Sequence, residues 1–156
     1  MINETVQLST LLIIPTVKIV HYVVSVSFLV FAVLLVYRSV SGIRQKRKFS
    51  TFDKFLSYAF IINLYLQLIF GIILFTGLGT DAGLNYMGIE EGAEKVSKRL
   101  WPVEHIVLML FALFIANLGL ISSLKTQDSK GRYRKVLIYY LLSIFLIAFS
   151  LISIYV

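Results

Sequence analysis

His21 and His105 are the two residues of this chain best equipped for chemistry, and both sit inside long apolar runs. Ionisable groups within membrane spans are expensive, so they mark a functional site by default. His105 closes the stretch Trp101-Pro102-Val103-Glu104-His105, at the mouth of an apolar run that continues to Leu124. A neighbouring carboxylate and an interface-type indole therefore flank the imidazole where a helix enters the membrane. Two imidazoles on facing helices can ligate a planar haem iron from both sides, as haem-binding bundles do. The plainer alternative is that each ring hydrogen-bonds a neighbouring helix, an interaction worth about 1 kcal/mol or less. Glu104 lies about 100° around the helix from His105. It can pair with Lys18, orient an imidazole, or move a proton.

The elements that must carry these groups follow from composition. The chain has 156 residues, 58% of them hydrophobic and 15% charged, and a mean hydropathy of +0.87. A soluble domain carries roughly 25% charged residues, so the pattern is that of a membrane protein. At about 20 residues per span, four helices account for most of the chain. The expected fold is all-α, a single transmembrane domain over residues 1–156. It is an up-down four-helix bundle with spans near 15–40, 51–75, 102–123 and 134–155. Pro15 suits the first turn of the first span, Ser50 or Thr51 can cap the second, and Asp53 suits its positive end. The glycine-rich connection from Thr76 to Leu100 ends in mixed charge and is expected to hold a short surface helix. The N-terminal stretch carries Glu4 where a secretory signal needs basic residues, so the first span is expected to be retained.

The net charge of +7 does not imply nucleic acid. Of fifteen Lys and Arg, eleven cluster around the two connections that follow the first and third spans. The positive-inside rule places both connections in the cytoplasm, with both termini outside. On that topology His21 and His105 lie at depths of ~9 and ~6 Å in the outer leaflet. Periodicity also favours convergence. His105, Met109, Ala112, Ala116 and Gly119 share one face, as do His21, Ser25, Phe28 and Ala32, and small residues on a seam permit close helix approach. Asn63, Gln67 and Gly71 share a face of the second span, and Asn117 is the single amide of the third. These amides are expected to bind helices together, with contact to a quinone or to water as the lesser alternative. Ser143 and Ser150 share a face of the fourth span, whose expected role is packing. There is no cysteine, which excludes disulfides, iron–sulfur clusters and covalently attached haem. Lys18, Lys98 and Arg99 are the cations best placed for the propionates of a haem.

The chain resembles a family of small four-helix membrane proteins from Bacteroidetes labelled cytochrome b or cytochrome b-like. The resemblance rests on Val103-Glu104-His105 and the aliphatic, Met-containing run through Leu110, on Gly119, on His21 in the first span, and on Asp53-Lys54 and Gln67 to Gly71 in the second. It covers the first three spans, about 110 residues. It implies a b-type haem held by His21 and His105 as metal ligands, with Lys18 and Arg99 as cofactor contacts, and electron transfer to or from quinol or a larger respiratory complex. The chain departs from the family where Tyr65 and Leu120 replace two of its histidines, which leaves ligands for one haem and not two. A haem-free accessory subunit of a larger respiratory membrane complex is the competing expectation.

Overall fold

The computed structural model describes the backbone of residues 2–77 and 93–152 and the side chains of residues 13–75 and 103–152. Within these limits the chain is all-helical: α1 (Ile2–Arg44), α2 (Thr51–Gly77), α3 (Ala93–Lys125) and α4 (Ser129–Ile152). Four segments are long and apolar enough to cross a membrane, namely Ile13–Arg44, Thr51–Phe75, Val103–Lys125 and Ser129–Ile152. The protein is a multi-pass membrane protein. Its outward faces carry the large apolar side chains that lipid requires, among them Ile19, Val26, Val33, Phe111, Phe114, Phe145 and Phe149.

α1 and α3 each pack against both α2 and α4, so α1 and α3 face one another across a diagonal. The inward seams keep helical period. α4 buries Tyr133, Val136, Tyr140, Ser143, Ile147 and Ser150, and α3 buries Met109, Ala112, Ala116 and Leu120. Phe28 of α1, Phe60 of α2 and Tyr140 of α4 form a ladder of rings, with centroids 5.2 Å and 4.8 Å apart. Ala112 and Ala116 are fully buried, which lets α3 and α4 approach closely, as small residues do between membrane helices.

Three helix boundaries differ from expectation. α1 begins at Ile2 and runs through Pro15. The proline is thus interior, where it removes one backbone donor; helices in lipid accept this because local adjustments and side chains re-satisfy the freed carbonyl. α3 begins at Ala93, so the stretch from Glu94 to Arg99 belongs to the same helix as the third span. The rest of the connection, residues 78–92, lies outside the described residues, and with it the place left for a short surface helix. α4 begins at Ser129, because Asp128 caps it through a 2.6 Å bond from the Gly131 N–H.

The turn between α1 and α2 shows why the chain reverses there. Lys46 holds a left-handed φ of 53°, and the Arg47 N–H reaches back to the Gly42 carbonyl at 3.0 Å. That is a Schellman ending with lysine where glycine is usual. Four residues later Ser50 and Asp53 form a capping box. The Ser50 N–H donates to Asp53 Oδ2 at 2.9 Å, and the Asp53 N–H donates to Ser50 Oγ at 3.3 Å. Each satisfies a backbone donor that the first turn would leave bare.

Candidate functional site: a two-histidine cavity

His21 on α1 and His105 on α3 line one cavity of about 120 Å³. The remaining helices close it: Gln67 and Leu64 from α2, and Ile147 and Leu151 from α4, with Ser25, Phe28 and Leu29 of α1 and Met109 of α3 completing the wall. The cavity thus sits on the α1–α3 diagonal, above the ring ladder. The histidine face read from periodicity on each helix is the inward face observed.

The two imidazoles are held differently. His105 Nδ1 lies 2.7 Å from Ser150 Oγ on α4, and Ser150 is fully buried. A partner on one ring nitrogen fixes the plane of an imidazole, and a hydroxyl serves either tautomer, donating to the bare nitrogen or accepting from the N–H. His21 is half-buried, and its Nδ1 is buried with no hydrogen-bond partner among the described residues. Leaving a buried polar atom unsatisfied costs roughly 1–3 kcal/mol, so this nitrogen is a standing demand for a ligand atom. Backbone and amides fix the helix that carries it. Ser25 Oγ donates to the His21 carbonyl at 2.8 Å and accepts from Gln67 Nε2 at 2.8 Å. Asn63 Nδ2 donates to the Val24 carbonyl at 3.1 Å and to Ser27 Oγ at 2.6 Å. These amides clamp α2 to α1, which is the helix-binding role expected of them. Gly71 presents no side chain here; a Cβ on it would stand 3.9 Å from His21 Cε1.

Other expected participants lie elsewhere. Glu104 is exposed and does not line the cavity. Lys18 is half-buried, its Nζ 5.5 Å from the centre of the Tyr22 ring. The side chains of Lys98 and Arg99 lie outside the described residues. Asn117 donates to the Leu113 carbonyl of its own helix at 2.8 Å, so it binds no neighbouring helix; a short polar side chain in lipid satisfies itself on the nearest carbonyl. Tyr65 is exposed, on the outward side of α2, and Leu120 is buried in the core. Neither position opens on the cavity. Among the described residues no group of three or more His, Asp or Glu converges on a metal-binding point.

A second polar centre, which no motif announces, lies at the other end of the bundle. Asp53 is 4% exposed, yet its carboxylate accepts four bonds. They come from Arg38 Nε at 2.9 Å, the Ser50 N–H, Ser50 Oγ at 2.6 Å and the Tyr133 hydroxyl at 2.7 Å. Arg47 Nε approaches the same hydroxyl at 3.4 Å and its Nη2 donates to the Arg38 carbonyl at 3.3 Å. Tyr133 crosses the α2–α4 diagonal to do this, and its ring fills the groove that Gly42 leaves on α1. One turn on, Tyr140 donates to the Ser57 carbonyl at 3.2 Å. Every acceptor and charge here has a partner on another element, which is the signature of a structural clasp.

Comparison with protein-family models, with curated proteins and with solved structures returns no match, so the functional reading rests on the cavity and its two imidazoles.

Proposed function

We propose that this chain is a haem-free accessory subunit of a larger respiratory membrane complex, with its working site in the His21–His105 cavity. It lies in a bacterial inner membrane as an up-down bundle. The basic turns are cytoplasmic, and both termini and the 78–92 connection are outside. Two lines support the topology. Cationic residues cluster at both short turns. Contacts run in opposite sequence directions between successive helices, Arg38 with Asp53 and Ser25 with Gln67, then Ser143 with Ala112 and Ser150 with His105.

The observation that carries the haem-free reading is the size of the cavity. Pockets for cofactors and drug-sized ligands occupy about 300–1,000 Å³, whereas this one measures about 120 Å³. An apolar cavity of roughly 150 Å³ takes a single benzene ring. A porphyrin would need α1 and α3 to stand farther apart than they do around this cavity.

The electron-carrier reading remains the second, with one haem b between His21 and His105 and with Lys18 and Arg99 toward its propionates. One observation favours it: two imidazoles from diagonal helices line a common space, one of them held at Nδ1 in the way ligating histidines are. A haem bound there would supply one-electron transfer.

A reduced-minus-oxidised absorption spectrum decides between them. Protein purified from haem-sufficient cells is expected to show no haem b band. A band that disappears in both His21→Ala and His105→Ala would overturn the haem-free reading in favour of the carrier.

A further inference from the structure

We propose that the cavity between His21 and His105 receives the quinoid ring of an isoprenoid quinone, entering from the bilayer between α1 and α4. The proposal rests on the haem-free reading and names what such a site would hold. Four observations converge on this ligand class. The volume of about 120 Å³ suits one six-membered ring. The wall is apolar except at His21, His105, Ser25 and Gln67, so it offers a flat apolar ring few but specific polar contacts, as small-molecule sites do. A quinone oxygen is a hydrogen-bond acceptor, and an imidazole N–H is a donor matched to it. The bond that His21 Nδ1 lacks among the described residues is the one a ring oxygen completes.

The fourth observation is the direction of the mouth. Of the residues that line the cavity, Leu29 on α1 and Leu151 on α4 are the exposed ones, at 60% and 50%. Both belong to membrane-crossing segments, so the opening between them faces the lipid. A ligand that arrives this way is itself lipid-soluble, and its isoprenoid tail can remain in the bilayer while the ring occupies the cavity. An acyl chain would satisfy the apolar wall but leave His21 Nδ1 nothing to bond.

Thermal unfolding of the detergent-solubilised chain, with decylubiquinone added, tests the proposal, because a ligand of the native state raises the midpoint in proportion to its occupancy. The quinone is expected to raise the midpoint saturably, while dodecanol, which has a chain but no ring, does not. Leu151→Trp is a change at an exposed position that narrows the mouth; it is expected to abolish the shift, read against the variant's own ligand-free midpoint. His21→Leu keeps the volume and removes the donor, and is expected to weaken the apparent affinity about tenfold, the factor that about 1.4 kcal/mol corresponds to. A shift no larger than that of dodecanol, or one that survives both substitutions, would overturn the quinone site. A haem b band in the same preparation would instead overturn the haem-free reading on which it rests, so the two failures are separable.

Discussion

Asp53→Ala is expected to destabilise the protein by about 3 kcal/mol, read as the fall in unfolding free energy in mild detergent titrated with a denaturing one. The side chain is nearly inaccessible and each of its oxygens is engaged. Its loss removes one half of the Ser50–Asp53 cap, worth about 1 kcal/mol. It also strands the Ser50 N–H and the Arg38 guanidinium beside a small void. Breaking a buried ion pair from one side costs roughly 3–5 kcal/mol when the remaining charge has nowhere to go. Arg38 does have somewhere to go, because its side chain is 27% exposed and can extend along the helix surface toward water. Tyr133 also retains an acceptor, the Lys48 carbonyl at 3.2 Å. These two escapes hold the total near the lower end of that range. Wild-type stability in Asp53→Ala would mean that the clasp holds nothing together.

Gly119→Ala is the second large expected effect, and its sign is diagnostic. In a helix interior alanine is better than glycine by about 1 kcal/mol, so an unconstrained site would gain stability. At Gly119 the added Cβ would stand 2.5 Å from the Cβ of Tyr139 on α4. A Cβ cannot swing aside as the end of a side chain can, so α3 and α4 must separate. Overpacking of this kind costs about 1–3 kcal/mol, and the loosened contact spreads to Ala112 and Ala116 on the same seam. The net expectation is a loss of up to about 2 kcal/mol, measured by the same titration. A gain in stability would show that the two helices do not meet there as described.

Much of the helical frame was legible because lipid enforces it. Apolar length marked the four spans, and small residues such as Ala112, Ala116 and Gly119 marked the face that α3 turns inward. The convergence of His21 and His105 on one cavity followed from the same periodicity. What escaped prediction depends on contacts across long sequence separations or on exact helix spacing. Tyr133 and Asp53 are 80 positions apart, and neither residue type announces the other. Ser150 read as a packing residue because its tie to His105 crosses 45 positions. Lys46 is not a residue that advertises a left-handed turn. Pro15 read as a helix start because the rules for soluble helices put it there. The cavity volume is set by how far apart α1 and α3 stand, and no pattern of residue types encodes that distance.

The reach of Tyr133 also bears on how the protein is made. Ribosomes deliver α1 and α2 well before α4, so the newborn hairpin waits with a carboxylate only partly satisfied and an empty notch at Gly42. α4, made after them, carries the phenol that completes both. Assembly therefore closes a latch whose two halves are translated 80 positions apart, and a chain truncated before α4 would leave that latch open for membrane quality control to find.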